Sequence, residues 1–224
     1  MLAKRSLQLG GIVVVATLTV GLLSAFGVGL SEPPPATDDI PQGLVESFEF
    51  EAEEYLLWGR WLDLGTALAF LSLLVAAPFL PGAGRAKYLL VAGAGIAVVG
   101  DLIDLSQLVG IGIAEFSLDN GLTADFTAGN VFRIAINTTS SFVWVGGLVV
   151  TALGMLILAG DAEDRSWGRD SASLAAALLA VAATDILASP EVFQVTSWIF
   201  AVVVLYWFLK AIRQIDRSPP SPAN

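Results

Sequence analysis

Six ionisable side chains fall inside stretches otherwise apolar enough to cross a membrane: Arg60, Asp63, Asp101, Asp104, Arg133 and Asp185. Such a group is costly in hydrocarbon, so each is expected to have a partner or a use. Arg60 and Asp63 stand three residues apart, and Asp101, Asp104 and Gln107 repeat that spacing, so each set shares one helix face. Arg133, Asn137, Ser140, Ser141 and Trp144 form a third polar stripe at helical spacing. Asp101 lies 14 residues beyond Lys87, which is about 21 Å along a helix. That is past the middle of a hydrocarbon core about 30 Å thick, and the other five fall in the same half. Two Arg against four Asp leave a formal excess of negative charge, so one or more Asp should take up a proton, or a cation should bind. The competing expectation is structural: Arg60 and Arg133 pair with the nearest Asp and hold the helices in register. Polar contacts of that kind contribute about 0.6 kcal/mol each. The candidate ligand- or ion-binding residues are therefore Arg60, Asp63, Asp101, Asp104, Gln107, Arg133, Asn137 and Asp185, with no catalytic and no metal-ligating set.

The elements that must position them are membrane spans. Of 224 residues, 55% are hydrophobic and only 14% charged, against about 25% charged in a soluble domain. The apolar residues come in runs that match a bilayer core. The pattern predicts an all-α, polytopic bundle of about six transmembrane helices: 7–30, 55–80, 88–113, 131–158, 173–187 and 192–212. Residues 1–6 form a short basic start, and the apolar run behind Lys4 and Arg5 is longer than a signal peptide's, so it is expected to be a retained helix. Residues 31–54 read as an acidic, Pro-rich loop, of which Leu44 to Trp58 could lie on the membrane surface as an amphipathic helix. The tail 213–224, rich in Ser and Pro, is expected to be disordered. Gly93, Gly95 and Gly100, with the Ala-rich stretch 172–183, read as close-packing surfaces. Tyr55, Trp58, Trp61, Tyr88, Trp198, Tyr206 and Trp207 read as interface anchors.

Nine of the eleven Lys and Arg lie on one side of this topology: Lys4, Arg5, Arg85, Lys87, Arg165, Arg169, Lys210, Arg213 and Arg217. The opposite loops hold none and carry the acids, from Glu32 to Glu191. The basic side is therefore expected to be cytoplasmic, with both termini inside, in the plasma (inner) membrane of a prokaryote. The net charge of −10 mostly reflects the acidic outer face.

Several chemistries lack their parts. With no Cys there is no thiol or disulfide chemistry. With no His the commonest metal ligand and the side chain that titrates near neutrality are missing. Gly100-Asp101 with Asp185 is close to the paired Asp of intramembrane aspartyl proteases, but Val98 stands where their first glycine belongs and Thr184 where their tyrosine does. Asp101-Leu102-Ile103-Asp104 has the D-x-x-D spacing of membrane prenyltransferases without a basic phosphate loop. No cofactor is expected.

The stretch Trp58-Gly59-Arg60-Trp61-Leu62-Asp63-Leu64 opens the second helix with an Arg and then an Asp. In this it resembles small uncharacterised six-helix bacterial membrane proteins, over roughly Tyr55 to Leu158. The resemblance implies the architecture and no activity. The leading expectation is a non-enzymatic plasma-membrane protein, a subunit or a regulatory or scaffold protein whose polar cluster is structural. The alternative is a small ion- or proton-coupled transporter using Asp101 and Asp104, with an intramembrane enzyme behind both. Expected partners are the lipid bilayer, other membrane subunits or copies of itself, and a proton or cation; no nucleic acid is expected. In intact cells Asp39→Cys and Asp119→Cys should react with an impermeant thiol reagent, whereas Gly84→Cys and Arg165→Cys should stay unlabelled. Labelling at Gly84 would reverse the orientation.

Overall fold

The computed structural model of the chain describes residues 1–26, 29 and 40–217. The Pro-rich linker with Glu32, Asp38 and Asp39, and the tail from 218, lie outside the described residues. The described chain is helical, and six of its helical rods are long and apolar enough to cross a membrane.

The first rod is α1, Leu2–Ala25, which ends where the Phe26 amide donates to the Leu22 carbonyl at 3.1 Å. Next come α2 (Ile40–Glu54), a π turn (Tyr55–Gly59) and α3 (Arg60–Ala76), continuous with one another. The segment expected to lie on the membrane surface is thus the first part of the second rod, which runs from Gln42 to Phe79. Its apolar residues explain why: Phe48 and Ala52 are buried against Ile111, Ala114 and Phe126 in a small core of their own. Pro78, in a 3-10 turn over Ala77–Phe79, and Gly82 at φ +133° end the rod and turn the chain back.

The third rod is α4 (Gly84–Leu105) and α5 (Gln107–Asp119), broken at Ser106. Ser106 returns both its amide and its hydroxyl to the Ile103 carbonyl. Gly121, at φ +67°, turns the chain into α6, Thr123–Gly160. Most of the acidic segment expected between two spans is therefore helix. The fifth rod, α7, runs over Arg165–Leu187 and starts earlier than its apolar run because Asp164 caps it. The Asp164 carboxylate accepts the Ser166 N–H at 2.8 Å, which holds it below the usual carboxylate range. The sixth, α8, covers Pro190–Arg217.

Lys4 Nζ meets Asp216 Oδ2 at 2.7 Å, so both described ends of the chain sit at one end of the bundle. Arg85 and Asp161, 3.5 Å apart, join α4 to the end of α6 there. This is the basic end. Near it Trp167 and Trp207 stack with ring centroids 5.1 Å apart, and the indole N–H of Trp207 donates to Ser171 Oγ at 3.2 Å. Trp207 is fully buried, so it is a core residue and not the interface anchor expected of it. Trp61 and Tyr88 are exposed, as anchors would be.

One contact is closer than the others. Along α4 the stripe Leu90, Gly93, Ala97, Gly100 and Asp104 faces the α6 stripe Gly154, Thr151, Gly147, Trp144 and Ser140. A Cβ on Gly93 would come within 2.4 Å of the Thr151 amide nitrogen, and one on Gly147 within 2.4 Å of the Ala97 nitrogen. These helices touch backbone to backbone, which small residues permit and which lipid, as apolar as any side chain, cannot drive by itself. Gly95 lies off this seam, where a Cβ would make ordinary contact with Leu74 at 3.5 Å. Neighbouring glycines should therefore respond with opposite signs. Gly147→Ala should destabilise the bundle by about 1–3 kcal/mol through overpacking. Gly146→Ala, with open space around its Cβ, should stabilise it by up to about 1 kcal/mol. Unfolding of the purified protein in mixed micelles measures both.

Candidate functional site

The polar layer of the bundle begins where the glycine seam ends. Asp104 continues the α4 stripe by one turn, and Ser140 continues that of α6, so the Ser140 hydroxyl donates to Asp104 Oδ1. Gln107, from just beyond the Ser106 break, donates to the same oxygen at 2.6 Å. On α3, Thr66 Oγ1 donates to Asp101 Oδ1 at 2.9 Å. The Tyr55 hydroxyl lies 2.8 Å from Asp63 Oδ2 and 3.0 Å from the Asp104 carbonyl, with both as acceptors.

The π turn makes this arrangement. Eight residues of α-helix would leave Tyr55 about 80° around from Asp63. A π turn carries more residues per revolution and reduces that offset. Gly59 completes the turn, because a Cβ there would stand 2.5 Å from the Tyr55 ring.

All six rods line a half-open cavity of about 700 Å³ with this layer at one end. Five acids line it: Glu54, Asp63, Asp101, Asp104 and Asp185. No Lys or Arg does, among the described residues. Asn137 lines it as well, while Gln107 is buried behind Asp104. Asp101 is 94% buried, with a relative exposure of 6%, and its second oxygen has no protein partner.

The two arginines are elsewhere, which corrects the expectation that they neutralise the Asp cluster. Arg133 Nη2 donates to Glu51 Oε2 at 2.6 Å, its guanidinium is 5.6 Å from the Phe48 ring centroid, and it donates to no Asp of the cluster. Asn130 Oδ1 accepts two further bonds from it, at 3.3 and 3.2 Å. Arg60 packs its guanidinium over Trp61, 5.2 Å from the ring centroid, and forms no ion pair among the described residues. Continuity of α2 with α3 is the reason for the first, since it carries Glu51 up beside α6. The polar excess of the cavity is thus larger than the charge count of the spans implies.

Three participants are not among the candidates that the sequence offers: Glu54, which falls there in the acidic loop, Tyr55 and Thr66. Tyr55 is read there as an interface anchor, and Thr66 is not singled out. Thr66 stands three residues beyond Asp63, so the Arg60–Asp63 spacing extended by one more step would have reached it. Nothing in the sequence marks the π turn that brings Tyr55 round. Double-mutant cycles should separate the two polar systems. Arg133→Ala with Glu51→Gln should couple by up to about 1 kcal/mol. Arg133→Ala with Asp104→Asn should add to within about 0.5 kcal/mol.

No family model, curated protein or solved structure matches this chain, and the resemblance carried by Trp58–Leu64 finds no support among them. What the cavity does must follow from its own side chains.

Proposed function

We propose that this chain is a non-enzymatic, multi-pass membrane protein whose acidic cavity binds a proton or cation, as the carrier part of a small coupled transporter. The single observation behind this reading is Asp101: a 94% buried carboxyl group on the cavity wall, with no basic residue on that wall, among the described residues, to neutralise it. Carboxylates grouped in low dielectric do not all stay ionised, so a proton or another cation balances them. The acids come from α2 (Glu54), α3 (Asp63), α4 (Asp101, Asp104) and α7 (Asp185). From α1, α6 and α8 the wall receives only uncharged groups, including Thr17, Asn137 and Gln194.

The asymmetry of Lys and Arg supports a prokaryotic plasma membrane with the acidic end outward, both termini cytoplasmic and the polar layer in the outer half. A second reading keeps the cluster structural, in a subunit or regulatory protein. Its support is the set of hydrogen bonds from Tyr55, Thr66, Gln107 and Ser140, which tie α3, α4 and α6 together.

The readings differ in what a neutral isostere does. On the binding reading, Asp101→Asn should reduce the protons exchanged by purified protein between roughly pH 5 and 9. The variant should still insert and fold. On the structural reading, stability falls and the proton count stays as in wild type. An unchanged proton stoichiometry in Asp101→Asn would sink the binding proposal.

A further inference from the structure

The cavity has two ends of different character. Its polar groups gather toward the acidic end of the bundle, where Asp63, Asp101, Asp104 and Asp185 lie. Toward the basic end the same cavity continues between Val14, Phe70, Leu73, Leu174, Leu178 and Phe208. From Asp185 to Leu174 is 11 residues of α7, so the apolar part reaches about 16 Å below the carboxyl layer. Beyond it the bundle is solid, with Leu7, Trp207 and Ala211 fully buried.

Three features of this space bear on what fits it. A volume of about 700 Å³ is that of a small-molecule pocket, typically about 300–1,000 Å³, and far exceeds what one dehydrated inorganic ion needs. Among the described residues no three acidic side chains converge as a metal ion requires, so the carboxyl groups do not form a metal-type cage. Aromatic walls near the carboxyl layer, including Trp144, Phe193 and Trp198, suit a large, weakly hydrated cation, which ring faces attract.

We infer that the cavity binds an amphiphilic organic monocation, a quaternary or phosphonium-like centre held at Asp101 with its apolar substituents in the shaft toward Phe208. The inference rests on the binding reading above and names the ligand class for that site. An anionic group on the same molecule finds no Lys or Arg on a wall that carries five acids, so zwitterionic phospholipid headgroups are outside the class.

Purified full-length protein in a neutral detergent, equilibrated with radiolabelled tetraphenylphosphonium, tests this. Two control ligands divide the requirement: triphenylphosphine oxide keeps the apolar bulk without the charge, and tetramethylammonium keeps the charge without the bulk. Tetraphenylphosphonium should bind at least tenfold more tightly than either, and Asp101→Asn should weaken it at least tenfold. Ala201→Phe, which fills the shaft from α8, should also abolish binding while leaving the proton exchange of the carboxyl layer. Dodecylphosphocholine should fail to displace the bound cation. Equal binding of the oxide would make the cavity merely apolar, and equal binding of tetramethylammonium would make it a simple cation site. Displacement by the phosphocholine would admit lipid headgroups. Each of these overturns the inference. Absence of tetraphenylphosphonium binding alongside Asp101-dependent proton exchange overturns the ligand class and leaves the binding reading standing. Loss of both removes the two together.

Discussion

The close approach of α4 and α6 is the contact on which the remainder of the bundle depends. In lipid no hydrophobic force draws one apolar helix to another, so packing and hydrogen bonding must do so. Gly93, Gly100, Gly147 and Gly154 let two backbones meet, with Ala97 and Thr151 between them. The seam is continued past the Ser106 break, where a Cβ on Gly129 would stand 2.8 Å from the Ala114 nitrogen. A helix pair this close has no width left between its members. The remaining rods therefore pack around it, and space opens in the middle of the bundle. Asp104 belongs to the seam's own stripe, one turn beyond Gly100, which is why it is engaged by Ser140. Asp101 is one residue round from Gly100 and so turns away from α6 toward α3 and the cavity. One helical register thus makes one carboxyl a packing element and sets its neighbour on the cavity wall, bonded to Thr66.

The same geometry separates charge that a one-dimensional count would cancel. Arg133 shares a helix with Asn137 and Ser140, and nothing in their spacing forbids a bond to Asp104. It bonds Glu51 instead because α2 stands upright beside it, anchored by Phe48 against Phe126 with ring centroids 5.3 Å apart. Glu51 is about half exposed, at 54% of its side chain, so this pair lies at the edge of the bundle, where an ion pair contributes little. Its effect is mainly on place: it keeps a guanidinium off the cavity wall. Arg60, held over Trp61, is kept off in a second way. Removing two bases from the neighbourhood of five acids raises the demand for an external cation.

Much of this was legible in the sequence because hydrophobic run length and Lys/Arg placement depend on the chain alone. The six rods, the polar stripes on α4 and α6, and the small-residue face at Gly93 and Gly100 are all periodic or compositional signals. What was not legible depends on where a helix begins outside its apolar run. Asp164 starts α7 eight residues before 173, and Phe48 and Ala52 make a helix of a segment whose acids suggest a loop. The partners of Arg133 and the role of Tyr55 follow from that single extension and from the π turn within it. Trp207 is a different case: near the end of a span an indole reads equally as an anchor or as core, and only Trp167 opposite it decides.

The amphiphilic division of the cavity follows from the direction of the helices and was not built residue by residue. Polar positions on α3 and α6 come early in the helix, and those on α4 and α7 come late, because the rods alternate in direction. Each chain segment therefore places its polar part at the same end of the bundle. The apolar remainder of every rod is the ordinary lipid-crossing sequence, turned inward where the seam leaves room. A carboxyl layer above an apolar shaft is what such a bundle produces once its bases are drawn to the rim. The property that needs a separate cause is the unpartnered oxygen of Asp101. A structural cluster would gain by satisfying it, since a buried acceptor left alone costs about 1–3 kcal/mol. Thr66 takes one oxygen, and the other is closed off from the cavity with no protein partner, so the hydrogen bonds of the layer leave Asp101 only half satisfied.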